Sequence, residues 1–188
     1  MGFEIRNLSE SNLNDIPGIC RRCIYWSFPE EFDKLKTDVK NREVLEAKKK
    51  QWILETTKEF GTCGKILYQN NKPVGYAEYG PSDRFPNIKA YKFKPIGRIE
   101  DGVVFISCLY IADRDLRGRG LGKKLLSSIV DDLRNRGFKA IETYALKDSP
   151  NNPSGPVDFY LNNGFYVKNE NNPHFSLVRL DLARALKS

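Results

Sequence analysis

Histidine is almost missing from this 188-residue chain; His174 is the only one. Cysteine is scarce as well, at Cys20, Cys23, Cys63 and Cys108, and no second C-x-x-C accompanies Cys20-x-x-Cys23. A tetrahedral zinc site would have to draw its ligands from scattered positions, so no metal is expected. Cys20 and Cys23 fall in a helical pattern, where i and i+3 share a face. Buried packing thiols are the plain reading, with a redox or substrate-pocket role as the alternative. Long apolar runs are absent too. No stretch reaches the length that spans a bilayer, and Met1-Gly2-Phe3-Glu4-Ile5-Arg6 has no signal-peptide apolar region. Gly2 invites myristoylation, but Arg6 stands where that signal wants Ser or Thr. These absences predict a cytoplasmic protein with no membrane partner. Repeats, low-complexity tracts and linkers are also lacking, which predicts one domain over residues 1–188.

Acidic residues are the minority among the charges, 24 against 31 Lys and Arg, for a net charge of +7. Such an excess suits a polyanionic partner, either a phosphorylated small molecule or nucleic acid. Part of it sits in Lys48-Lys49-Lys50, which reads as a solvated helix face. More is gathered at Arg114, Arg117, Arg119, Lys123 and Lys124. Nucleic-acid binding needs basic residues interleaved with exposed aromatics, or a docking motif, and the chain shows no such motif.

The second basic cluster surrounds the most informative passage. Val103 to Ile111 is an apolar run that reads as a buried strand. Arg117-Gly118-Arg119-Gly120-Leu121-Gly122 follows after a short connection, and then Leu121, Leu125, Ile129 and Leu133 step by four along an amphipathic helix that Gly137 caps. Strand, glycine-rich turn and helix N-terminus together present free backbone N–H groups and a positive dipole end, a site for a pyrophosphate. A Walker loop ending at Gly122-Lys123 fails, because Arg117 occupies its first glycine and Lys124 its hydroxyl position. A Rossmann fingerprint from Gly118 and Gly120 would put its third glycine at Lys123, and it belongs on a first strand rather than past the middle of the chain.

What fits is Arg-x-x-Gly-x-Gly at Arg117, Gly120 and Gly122. This resembles the acyl-CoA-binding motif of the GNAT superfamily of N-acyltransferases, with Leu109-Tyr110-Ile111 similar to the strand that leads into it. Downstream, Phe159-Tyr160-Leu161-Asn162-Asn163-Gly164-Phe165 resembles that family's Phe-Tyr-x-x-x-Gly-Phe segment. The resemblance covers roughly residues 62–182. It implies an α/β fold, a single GNAT-like domain whose central mixed, mostly antiparallel sheet is flanked by helices and splayed at the acyl-CoA cleft.

The rest of the chain can be placed on that frame. Phe3 to Leu8 reads as a first strand, and Ser9-Glu10-Ser11-Asn12 opens a helix carrying Ile16, Ile19, Cys20 and Cys23. A second helix spans roughly 32–60, with Leu45, Trp52, Ile53, Thr56 and Phe60 as its buried face. Residues 65–69 and 73–79 form a hairpin around Asn70-Asn71-Lys72. Residues 80–102 make a long connection whose Phe85, Tyr91 and Phe93 call for a packing partner. A strand over 138–145, a short helix from about Pro156 that stops at Gly164, and a hairpin of 165–167 with 175–180 complete the reading.

The resemblance implies an acetyltransferase in which a bound amine attacks acetyl-CoA directly and CoA leaves as a thiol. No metal enters, and homodimers are common in the superfamily. A lysine-like amine is almost wholly protonated near neutral pH, so presenting it neutral costs about 4 kcal/mol. Tyr160 resembles the family's tyrosine that protonates the departing thiolate. The amides of Leu109 and Ile111, flanking Tyr110, resemble those that hold the acetyl carbonyl and the pantetheine arm. The amides of Gly118, Gly120, Leu121 and Gly122, with Arg117, Arg119 and Lys123, are the expected pyrophosphate cradle. Family members often carry an asparagine six residues before the Phe-Tyr pair; Pro153 stands there, so that contact shifts to Asn152. Glu78, Glu100 and Asp101 are candidates for the base, Glu78 first; surface solvation is the plain reading of each, and a water chain would serve as well. Tyr25, Trp26, Phe28, Glu78 and Tyr79 are expected on the acceptor side. Two other functions stay open: a non-catalytic acyl-CoA sensor and a basic nucleic-acid binder.

Overall fold

In the computed structural model, residues 2–90, 99–100, 102–147 and 155–182 are described. Seven strands form one sheet in the order β1-β2-β3-β4-β5-β7-β6. They are β1 (Phe3–Asn7), β2 (Gly64–Gln69), β3 (Lys72–Pro81), β4 (Val103–Ile111), β5 (Ala140–Leu146), β6 (Tyr166–Asn169) and β7 (Phe175–Asp181). Neighbours run antiparallel except β4 and β5, which are parallel. The β2–β3 turn uses Asn70 and Asn71 at φ 49° and 63°, left-handed conformations that asparagine tolerates better than most residues.

Period-two alternation divides the strand side chains between two cores. Ile66, Tyr68, Tyr76, Phe105 and Tyr144 face one way, toward Trp26, Trp52 and Ile53. Leu67, Ala77, Tyr79, Val104, Ile106, Ile141 and Val178 face the other, toward Leu125, Leu126, Ile129 and Leu133. Helices α1 (Gly18–Arg21) and α3 (Arg42–Phe60) contribute to the first layer, α4 (Leu121–Asn135) and α5 (Val157–Leu161) to the second. Helix α2 (Pro29–Leu35) precedes α3. Phe85, from the long connection, is fully buried against Trp52 and Phe105, at ring distances of 5.2 and 5.5 Å. Tyr91 and Phe93 lie outside the described residues.

The sequence-predicted helices before β2 are shorter than expected. Residues 10–15 form a 3-10 turn, and Ile16 and Pro17 are extended before α1 begins at Gly18. Proline at the N-cap cannot continue the preceding turn's hydrogen bonding. The expected 32–60 helix is interrupted between Leu35 and Arg42. There the Asp38 carboxylate accepts from the Lys40 amide at 2.9 Å, and the Asn41 amide group donates to the Leu35 carbonyl at 3.3 Å. These local bonds offer the backbone an alternative to the helix ladder.

Candidate active site

Strands β4 and β5 pair only from Val103–Ala140 to Phe105–Glu142. Beyond that point β4 keeps β3 as its partner while β5 keeps β7, so the sheet splays open along residues 107–111. The ladder phase settles which β4 amides face the opening. Ala112 donates to the Val74 carbonyl at 2.8 Å, so 112–74, 110–76 and 108–78 are the hydrogen-bonded pairs. The alternation turns the N–H groups of Leu109 and Ile111 away from β3, toward the splay. The Ile111 carbonyl points the same way, and Arg117 Nε donates to it at 3.0 Å, tying the glycine loop to the end of β4. The Arg117 guanidinium also lies 5.4 Å from the centre of the Tyr110 ring.

The loop then delivers the start of α4. Gly118 and Gly120 adopt φ of 74° and 77°, the left-handed region that a side chain disfavours. No side chain caps the helix and no acidic residue occupies its first turn, so the first amides and the positive dipole end are left for a ligand. A cavity of about 480 Å³ sits against this terminus, lined by Leu109, Tyr110 and Ile111 of β4, by Arg117, Gly118, Gly120, Leu121, Gly122 and Lys123, and by Phe159 and Tyr160 of α5. The Leu121 side chain is buried in the core, which leaves only its amide for a ligand. Arg119 is exposed and does not line the cavity. Asn152 lies outside the described residues.

Tyr160 is fully buried, and its hydroxyl makes no hydrogen bond of normal geometry among the described residues, with Thr143 as its polar neighbour. An unsatisfied buried hydroxyl costs about 1–3 kcal/mol, so its presence on a cavity wall suits a ligand that supplies the partner. Burial pushes the phenol well above its ordinary value, so it remains a proton donor across the neutral range.

A second cavity, about 730 Å³, opens on the α1–α3 side of β4, and Tyr110 lines both. Its wall includes Cys20, Cys23, Tyr25, Trp26, Tyr76, Glu78, Ser107 and Cys108. A bulge shapes it: Glu78 pairs with Cys108 and Tyr79 with Ile106, leaving Ser107 as the extra residue and putting Ser107 and Cys108 on the same wall. Contact with Cys20 and burial push the Cys108 thiol well up, so this thiol stays protonated.

Glu78 is 2% exposed rather than solvated. Lys49 forms an ion pair with it, the Tyr76 hydroxyl donates to the same oxygen at 2.8 Å, and the Ser107 hydroxyl donates to the other at 3.0 Å. Lys49 therefore does not belong to a solvated lysine face. It stands four residues after Leu45 and three before Trp52, inside the buried stripe of α3. That spacing was the available signal, and the lysine run concealed it.

Three other expected placements change. Tyr79 points to the opposite side of the sheet, where its hydroxyl donates to Asp132 at 3.1 Å and its ring packs on Phe60. The reason is parity: Tyr76 and Glu78 share one face of β3, Tyr79 the other. Phe28 packs against the first core with Lys48 over its ring and does not line the cavity. Glu100 is exposed and pairs with Lys168 and Arg179 beside the buried Glu142, away from both cavities. Asp101 is outside the described residues. Among the described residues no group of three or more His, Cys, Asp or Glu could hold a metal ion, and no helix is long and apolar enough to cross a membrane.

A mixed sheet that splays beside an uncapped helix N-terminus offers room for an anionic ligand, and solved structures share the fold. PaiA N-acetyltransferase of Thermoplasma acidophilum, in complex with coenzyme A, superposes with a TM-score of 0.59 at 16% identity, over 96% of this chain and 99% of that one. Ribosomal-protein-S18-alanine N-acetyltransferase of Escherichia coli gives 0.57 at 15%, over 100% and 98%. An acetyltransferase of Thermus thermophilus gives 0.58 at 18%, over 97% and 98%. No sequence among curated proteins matches the chain. The model of the acetyltransferase (GNAT) family matches residues 22–165, and the chain belongs to that family.

Proposed function

We propose that this protein is an N-acetyltransferase that moves an acetyl group from acetyl-CoA to a primary amine by direct attack. The observation that carries the reading is the meeting of two cavities at Tyr110, one against the free amides of α4 and one against the buried polar wall of β3. In this reading the amides of Gly118, Gly120, Leu121 and Gly122 hold the pyrophosphate, with Lys123 adding charge. Arg117 fixes the loop through the Ile111 carbonyl and keeps its remaining N–H groups for the phosphates. Arg119 is retained as an outer contact to the cosubstrate, and Asn152 as the pantetheine or amide contact that the family resemblance implies.

The thioester carbonyl sits at the splay, where the Leu109 and Ile111 amides meet the charge that builds on its oxygen. The amine bonds to the carbonyl carbon, the carbon–sulfur bond breaks, and Tyr160 gives its proton to the departing sulfur. Glu78 is assigned to receive the amine's proton, directly or through water. A cytoplasmic location is part of the proposal. The test is acetyl-CoA consumption, read as thiol release, across an amine library. Measured uptake of CoA together with Tyr160-dependent turnover supports it, and a purified protein that takes up neither CoA nor acetyl-CoA refutes it.

A further inference from the structure

The larger cavity carries a charge arrangement that bears on which amine enters it. Among the described residues four cations line it, Arg22, Lys36, Arg42 and Lys49, against two carboxylates, Asp38 and Glu78. Their partners divide them further. Lys36 is paired with Asp33 at 2.7 Å, Asp38 is engaged by the Lys40 amide, and Glu78 is neutralised by Lys49. Arg22 and Arg42 have no carboxylate partner among the described residues, so the unbalanced charge on the wall is positive.

An acceptor with several ammonium groups finds no bare carboxylate here to replace the hydration of its extra charges. An anionic group on the acceptor finds two guanidinium forks suited to a carboxylate. The remaining surface is apolar and aromatic. Tyr25 meets Trp26 and Phe32 edge-on, at 5.2 and 5.6 Å, and Leu45 and Phe175 also line the space. A cavity of about 730 Å³ is of small-molecule size.

We propose that the acceptor is a small amine that also carries a carboxylate and an apolar or aromatic body, the carboxylate being held by Arg22 and Arg42. This rests on the acetyltransferase reading for its chemistry, yet the charge preference belongs to the cavity itself. The probes are therefore the acetylated products N-acetylphenylalanine and N-acetylphenethylamine, which differ in the carboxylate alone. Each is titrated calorimetrically with and without saturating CoA.

The carboxylate-bearing product binds at least about tenfold more tightly, and Arg22→Ala with Arg42→Ala abolishes the difference. Neither arginine has an ion-pair partner among the described residues to leave stranded, so the variant keeps its fold. Turnover of phenylalanine exceeds that of phenethylamine and of spermidine by a similar factor. Equal binding of the two products, failure of both to bind, or faster turnover of spermidine overturns the inference. Absence of CoA uptake with the carboxylate preference intact overturns the acetyltransferase reading, and leaves the cavity as a carboxylate-binding site with no acceptor role.

Discussion

Lys49 of α3 and Glu78 of β3 form an ion pair whose side chains are 4% and 3% exposed, at the wall of the larger cavity. Two further donors complete the carboxylate, and the ammonium lies 5.2 Å from the Trp52 ring centre. Glu78 holds Lys49 above its ordinary pKa, against the opposing pull of burial. A raised folded-state value means that the pair's contribution is complete below the unfolded lysine pKa near 10.4. On the lysine side it is lost as pH climbs through the higher folded value.

Removing one partner strands the other. Lys49→Met costs about 3–5 kcal/mol, whereas Lys49→Met combined with Glu78→Gln lies within about 1.5 kcal/mol of the parent. Urea denaturation at pH 7 measures both. Destabilisation by the double variant equal to the sum of the Lys49→Met and Glu78→Gln single variants would show that the two charges are not coupled.

Tyr160→Phe separates chemistry from binding. The lost hydroxyl makes no well-formed hydrogen bond among the described residues, so stability changes by no more than about 1 kcal/mol. CoA affinity is retained while kcat falls by about 100-fold or more, the usual weight of a positioned acid. Because burial raises the phenol, the parent's kcat shows no loss through phenol ionisation below pH 10. A variant with full kcat would remove Tyr160 from the proton path, and one that loses CoA binding as well would make it a structural residue.

Local signals carried the second half of the chain. The run from Val103 to Ile111 is β4, residue for residue, because its first half is buried on both faces and is apolar there. Leu121, Leu125, Ile129 and Leu133 lie along the buried side of α4 because a four-step stripe can only face a core. What escaped depends on contacts distant in sequence. Glu78 reads as solvated until a lysine twenty-nine residues earlier is brought against it. The bulge at Ser107 leaves no mark in the sequence, and which face of β3 meets the larger cavity is decided by the helices that cover it. The break between α2 and α3 was missed for the opposite reason. Asp38 and Asn41 are short polar residues whose capping bonds outweigh a helical pattern on either side.

Gly120 tests whether the loop's backbone shape holds the phosphates. A Cβ built there meets nothing within 4 Å, so the cost of substitution is conformational and comes from φ at 77°. Gly120→Ala destabilises by about 1 kcal/mol and weakens CoA binding, and Gly120→Asn does both less, since asparagine enters the left-handed region more readily. Thermal unfolding and CoA titration report the two effects. Identical behaviour of the Ala and Asn variants would argue against backbone strain as the cause.

Tyr76 and Tyr79 differ by three positions and by face, which makes them a matched pair. Tyr79→Phe removes a hydrogen bond to Asp132 beneath α4 and costs about 1 kcal/mol, while Asp132 keeps Arg136 at 3.0 Å. The acceptor KM is unchanged, because the Tyr79 side chain does not reach that cavity. Tyr76→Phe takes a donor from the Glu78 carboxylate at the cavity wall. Lys49 and Ser107 still hold the carboxylate, but its charge at the cavity wall is less satisfied, so the acceptor KM shifts by several-fold (about 1 kcal/mol at the carboxylate) with CoA affinity unaltered. A KM change in the Tyr79 variant equal to that in the Tyr76 variant would put both residues on one face of β3, which the pairing of Tyr76 with Tyr110 and of Tyr79 with Ile106 across the bulge does not allow.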